Sequence, residues 1–281
     1  MSQTATKMAC AQLVREINTL FKQGEMIDPF TLARLTKAAD NCRTSEPLLA
    51  FLALGRIACL EHNPSKMETY HKMMVNTAPD NPRCHLFYSI SLRSFGFFSE
   101  ACQRAKSAFD LDPDDKDIVQ NRIRAEAAAG RFRKAARLMN FSINANMPLT
   151  VRQFDFIKEV TYLLTEAQID DVQTEALQQT AMALLDEHQI YPWGSLRFPM
   201  VRMALIPDVE NGNPSPSAVP VPVVLEWHIQ INADEQTIAQ LNNQLAQRVA
   251  ADDQFKSVTQ WIHFQLISKQ GGRHGNNIFF A

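Results

Sequence analysis

A period of 34 residues constrains this chain more than any other feature. Pro79 and Pro113 are 34 apart, and so are Gly96 and Gly130, Phe98 and Phe132, and Ala101 and Ala135. Self-similarity at that interval marks units that cannot bury an apolar face alone and must stack on a neighbour. The register divides the chain into units at 48–81, 82–115 and 116–149. Everything before residue 190 carries helical spacing: Asp28-Pro29 reads as an N-cap followed by proline at the first helical position, and Asp114 and Thr150 stand where later helices would be capped.

The first unit opens with Phe51-x-x-Leu54-Gly55 and closes at Pro79. The second carries Gly96-Phe97-Phe98-Ser99-Glu100-Ala101, then Ala108 and Leu111-Asp112-Pro113. The third keeps Gly130-Arg131-Phe132-Arg133-Lys134-Ala135, with Arg122-Ile123 where Leu-Gly would stand and Met147 in place of the proline. In these residues the chain resembles the tetratricopeptide repeat family. Small residues at Gly55, Ser89, Ala101, Ala108 and Ala135 let helices approach closely. Residues 14–47 read as a degenerate leading repeat, because Phe30 and Ala33 fall 68 residues before Phe98 and Ala101. Residues 150–167 and 170–188 read as a closing helical hairpin. The expected fold is mainly α, a repeat-like helical solenoid over residues 1–189 followed by a small α+β domain over 190–281.

The resemblance implies a superhelix whose first helices line a concave groove for an extended peptide or a partner's helix, with no catalysis and no cofactor. Family groove positions select Leu52, Arg56 and Cys59 in the first unit, Arg83, Leu86, Phe87, Ile90 and Arg93 in the second, and Gln120, Asn121 and Arg124 in the third. Arg56 and Arg124 occupy the same repeat position, with Arg93 nearby. A guanidinium holds a carboxylate through two parallel hydrogen bonds, so an acidic or C-terminal peptide would suit. The family's carboxylate-clamping variety uses a Lys/Asn set that only Asn121 echoes, and that specificity is not carried over. Solvated surface arginines are the competing reading.

Composition excludes several alternatives. Twenty-eight basic and thirty acidic residues leave a net charge of -2, so the chain as a whole is no electrostatic glove for nucleic acid or anionic membrane. The longest apolar stretch, Leu48 to Leu60, is broken by Gly55 and Arg56 and falls short of the roughly 18 residues of a bilayer span. No secretory leader is evident, and a cytoplasmic location is expected. Cys10, Cys42, Cys59, Cys84 and Cys102 form no Cys-x-x-Cys pair, and read as reduced core thiols. Met67 to Met74 reads as core filling at helical spacing. Asp110-x-Asp112-x-Asp114 opens like a calcium loop but lacks its glycine and closing glutamate.

Two rivals to a protein-binding adaptor remain. Arg122, Arg124, Arg131, Arg133, Lys134 and Arg137 have only Glu126 as a local counter-charge, a candidate phosphate or nucleic-acid face. Beyond residue 190 the period changes. Leu196 to Ile206, Val223 to Ile231 and Ser257 to Ser268 read as strands around a helix capped by Asp234, with a Pro-rich loop at 207–222 and a short last strand at 277–280. Alternation puts Glu226, His228 and His263 on one polar face, an acid-base or metal candidate set against ordinary cross-strand pairs. The final strand would close its own sheet or pair with a second copy of the chain. The expectation is a non-enzymatic adaptor or scaffold subunit, with a protein partner in the repeat groove and homo-oligomerisation through the last domain open.

Overall fold

The computed structural model describes residues 3–23, 27–147, 152–192, 200–205 and 223–268. Eleven α-helices follow one another among these residues: α1 (Gln3–Gln23), α2 (Pro29–Asn41), α3 (Pro47–Leu60), α4 (Pro64–Thr77), α5 (Pro82–Ser94), α6 (Phe98–Leu111), α7 (Lys116–Ala128), α8 (Phe132–Asn144), α9 (Arg152–Glu166), α10 (Asp171–Glu187) and α11 (Glu235–Ala251). Three strands accompany them: β1 (Met200–Leu205), β2 (Val223–Ile231) and β3 (Ile262–Ser268). The chain packs as two compact units. The first contains Met1–Ala125, and the second takes over at Glu126 within α7.

The 34-residue period is written into the backbone. Helices α4, α6 and α8 begin at Pro64, Phe98 and Phe132, 34 residues apart. The turn before each has one residue in the left-handed region: His62 at φ 54°, Gly96 at 80° and Gly130 at 83°. Glycine adopts that conformation without strain, whereas His62 bears a side chain there. Proline at the first helical position starts α2 to α5, after Asp28, Glu46, Asn63 and Asn81. Asp28, Asn63 and Asn81 accept a hydrogen bond from the first turn, which satisfies an otherwise orphaned N–H. At α7 the cap is Asp115, not Asp114: its Oδ1 accepts from the amides of Asp117 and Ile118. A carboxylate one position nearer the helix reaches both amides. Thr150 lies outside the described residues.

In the first unit α1 packs on α2 and α3, α3 on α4 and α5, and α5 on α6. Gly55 is essential to one of these approaches, since a Cβ there would stand 2.7 Å from the His71 Nε2. Leu35, Ala39, Ala50, Ala53, Leu54 and Ile57 form the apolar seam of the first three helices. Leu86, Ala108 and Ile118 continue it between α5, α6 and α7. Met67 and Met74 are buried, as core filling requires. The cysteine expectation is corrected in part. Cys10 on α1 and Cys42 after α2 form a disulfide with Cα atoms 6.0 Å apart, while Cys59, Cys84 and Cys102 are free and buried. Two cysteines 32 residues apart carry no local signal of pairing; the meeting of α1 with the end of α2 supplies it.

In the second unit α9 and α10 both pack on α8. The N-terminus of α8 has no cap of its own, and the Asp171 carboxylate at the start of α10 accepts from the Arg133 and Lys134 amides at 2.8 and 2.9 Å. Asp170 and Gln173 close a capping box on α10. The sheet order is β1-β2-β3, with β1 antiparallel and β3 parallel to β2, and α11 lies between the parallel strands in sequence. Trp227 on β2 is fully buried, edge-on to Phe132 at 5.3 Å and against Phe264 at 5.1 Å. The strand expected from Ser257 starts only at Ile262. Asp253–Phe255 forms a 3-10 turn, and the Ile262 amide donates back to the Val258 carbonyl, so Phe255 and Val258 enter the core from helical turns. The loop at 207–222 and the strand expected at 277–280 lie outside the described residues.

Candidate functional site

The first helices of successive pairs, α1, α3, α5 and α7, meet side by side, and the eleven groove positions read from the sequence fall on α3, α5 and α7. Stacking at the 34-residue period brings equivalent helix positions into a row. Leu52, Arg56, Leu86, Arg93 and Asn121 are buried. Arg83, Phe87, Ile90, Gln120 and Arg124 are partly exposed.

These residues do different jobs. Arg83 pairs with Asp115 and, at 3.2 Å, with Asp117, holding α5 to the start of α7. Asn121 donates through Nδ2 to the Ser89 hydroxyl at 3.0 Å, and that hydroxyl donates to the Ala101 carbonyl at 2.8 Å. Leu86 belongs to the seam with Ala108 and Ile118, and Ile90 packs against it.

Arg56 and Arg93 stand apart. Arg56 is 4% exposed and Arg93 5% exposed, and in both the Nε and Nη1 atoms have no hydrogen-bond partner. The Arg56 guanidinium lies over the Phe21 ring at 4.4 Å and the Phe87 ring at 5.9 Å, a sandwich between α1 and α5. Burial lowers Arg56 to about 10, with the Cys59 thiol as the opposing influence. Burial lowers Arg93 to about 9, and the like charges of Arg124 and Arg56 push the same way. Both values lie well above neutrality, so each side chain is a buried cation at pH 7. Arg124 is lowered by burial and raised by Asp117.

Buried titratable groups lie near Arg56. His71 on α4 is fully buried, bonded through Nε2 to the Ser91 hydroxyl at 2.8 Å and stacked on Tyr88 at 5.2 Å. Burial, then the charge of Arg56, drives His71 down to about 3, so it is neutral. Burial raises the Cys59 thiol, against the influence of Arg56 and of hydrogen bonds from Ser91 and Ser94. Neither group supplies a counter-charge. Phe21 and His71 were not legible as site residues: one lies before the first clear repeat, the other on a second helix. The only sequence signal was Gly55, whose missing side chain makes room for His71.

Part of the basic run is neutralised by its own fold. Glu126, 1% exposed, accepts from Arg131 at 3.3 Å and Lys134 at 2.9 Å. Arg131 also forks onto Glu175, with Nε 2.7 Å from Oε2. Arg122 lies over Phe109 at 4.5 Å and 3.9 Å from Asp110. Glu175 and Asp110 are distant in sequence or on another helix, so composition within the run could not reveal them.

On the sheet, β2 and β3 are neighbours, and their parallel register sets Glu226 beside His263 and His228 beside Gln265. His228 Nε2 is 3.8 Å from Glu226 Oε2. Among the described residues no three of His, Cys, Asp and Glu converge to hold a metal ion. Among the described residues β3 is an edge strand, and Asn242 of α11 donates to the Leu266 carbonyl at 2.9 Å and accepts from its amide at 2.8 Å, in the manner of a neighbouring strand. No helix among the described residues is long and apolar enough to cross a membrane.

The fold and site thus define a protein of consecutively packed helices with a small three-stranded α+β module and two buried arginines, Arg56 and Arg93, on α3 and α5. In comparisons with known proteins, no family model matches the chain, no curated protein matches it, and no solved structure matches it.

Proposed function

We propose that this protein is a non-enzymatic adaptor or scaffold subunit, built on tetratricopeptide-like repeats, that binds a segment of a partner protein in the groove lined by α1, α3, α5 and α7. The observation that carries the reading is the pair of buried, unneutralised guanidinium groups, Arg56 and Arg93, on that row of helices. A buried cation without a partner is costly to folding, and a fold that retains two beside partly exposed Phe87 and Ile90 has the character of a receptor. The competing nucleic-acid reading lacks comparable support, because Arg131 and Lys134 are paired with Glu126.

The test is affinity capture from nuclease-treated native lysate, comparing the intact chain with a Phe87→Ala, Ile90→Ala variant whose fold is checked by circular dichroism. Protein recovered by the intact chain and lost by the variant supports the groove. Equal recovery in both lanes refutes it, and recovery that disappears with nuclease moves the function to the nucleic-acid reading.

A further inference from the structure

A groove on the helices gives the sheet edge no role. We propose that Asn242 guards the edge of β3, occupying the backbone groups through which a second copy of the chain would otherwise add its own β3. Among the described residues β3 is an edge strand. The Leu225 amide on β2 donates to the Trp261 carbonyl at 2.7 Å. Backbone groups alternate in direction along a strand, so His263, Gln265 and Ile267 address β2, and Ile262, Phe264 and Leu266 turn theirs to the other side. Two of those outward amides are taken from within the chain. Ile262 donates to the Val258 carbonyl at 2.8 Å, and Leu266 donates to Asn242 Oδ1 at 2.8 Å. Asn242 Nδ2 donates in turn to the Leu266 carbonyl at 2.9 Å, so one side-chain amide meets both groups of one residue, as a paired strand would.

The strand itself carries nothing that discourages pairing. Edges are commonly protected by a charged side chain, a proline or a bulge, each of which spoils the fit of an incoming strand. The sequence Ile262-His-Phe-Gln-Leu-Ile-Ser268 has no proline, carboxylate, lysine or arginine. Such an edge does not repel its own copy. An antiparallel two-fold pairing centred on Gln265 sets Gln265 opposite Gln265, and Phe264 opposite Leu266 twice over, apolar against apolar. In that register Leu266 exchanges both outward bonds with Phe264 of the second copy. Those two groups are the ones that Asn242 holds. The guard sits on α11, which packs on β3 and buries Leu241 and Leu245 on either side of it in sequence, so helix packing keeps it in place.

The test is size-exclusion chromatography with light scattering on the full chain, at up to about 100 μM. It compares the native sequence, Asn242→Leu, and Asn242→Leu combined with Gln265→Lys. Leucine keeps the volume and removes both bonds, and lysines at 265 would face each other across the two-fold. The expected result is that Asn242→Leu runs at twice the native mass or a larger multiple, and that adding Gln265→Lys returns it to the native mass. Gln265→Cys should join two copies by a disulfide under mild oxidation when combined with Asn242→Leu, and not when Asn242 is kept. Three results overturn the proposal: an unchanged mass for folded Asn242→Leu, association that survives Gln265→Lys, or equal joining through Gln265→Cys with and without Asn242. If circular dichroism shows Asn242→Leu unfolded, the comparison passes to Asn242→Ser, whose hydroxyl is too short to hold both Leu266 groups. Loss of the fold in that variant as well makes Asn242 a structural staple and overturns the guard.

Discussion

Replacing Arg93 with methionine should make this protein more stable while removing what it is proposed to do. Methionine follows the course of the arginine stem and fills similar space without charge. The fall of Arg93 from the usual 12.5 to about 9 corresponds to about 5 kcal/mol set against the charged form, at about 1.4 kcal/mol per tenfold change. Lost packing of the guanidinium and residual hydration in the unfolded chain take back a share. A net gain of about 1–3 kcal/mol is expected, within the range found when buried ionic groups give way to apolar ones. Urea unfolding followed by circular dichroism reads it directly: the midpoint should rise with the slope unchanged. If Arg93→Met instead lost more than about 1 kcal/mol, the guanidinium would be a structural element with a partner, and the receptor argument would collapse.

Other substitutions test the frame around the site. The Cys10–Cys42 disulfide closes a loop of 32 residues, so Cys10→Ser with Cys42→Ser should cost about 3–4 kcal/mol under oxidising conditions and nothing beyond the cost of reduction in excess thiol. Gly130 has φ 83° and a missing Cβ that would stand 2.7 Å from the Thr174 carbonyl oxygen, so Gly130→Ala should lose at least about 2 kcal/mol by the same unfolding assay. His71 should make stability depend on pH. Its folded value of about 3 lies below the ordinary 6.5, so the unfolded chain binds the extra proton between them, and stability falls as pH drops through that window. His71→Gln should flatten the profile between pH 6 and 4, read as the urea midpoint at each pH; an unchanged profile would contradict the burial argument.

Much of the helical part was legible because a repeat states its rules several times. Pro29 after Asp28, the glycine turns at Gly96 and Gly130, and the small residues Ala101, Ala108 and Ala135 each impose a local constraint that tertiary packing then obeys. The cap of α7 slipped by one residue because a run of aspartates offers several oxygens, and only the geometry of the turn chooses Asp115. Pairing of Cys10 with Cys42, the onset of β3 and the cover that Asn242 gives its edge depend on contacts between distant segments, which periodicity does not encode. The site divides the same way. Repeat position picks out Arg56, Arg93 and Arg124, but the burial of Arg56 and Arg93, the Phe21 ring over Arg56 and the neutral His71 near it depend on packing between helices that the motif residues do not encode.

The central claim is that a partner protein lies against the row of first helices. The most direct measurement places a photo-crosslinking phenylalanine analogue at Phe87, at Ile90 and, as controls, at Tyr162 on α9 and Phe30 on α2, which are 70% and 81% exposed. Each full-length variant is irradiated in native lysate and its adducts are identified by mass spectrometry. The account predicts one protein joined to positions 87 and 90, absent from 162 and 30, and lost when Arg56 and Arg93 are also changed to methionine. Adducts at the control positions with none at 87 or 90 would contradict it and place the interaction elsewhere on the chain.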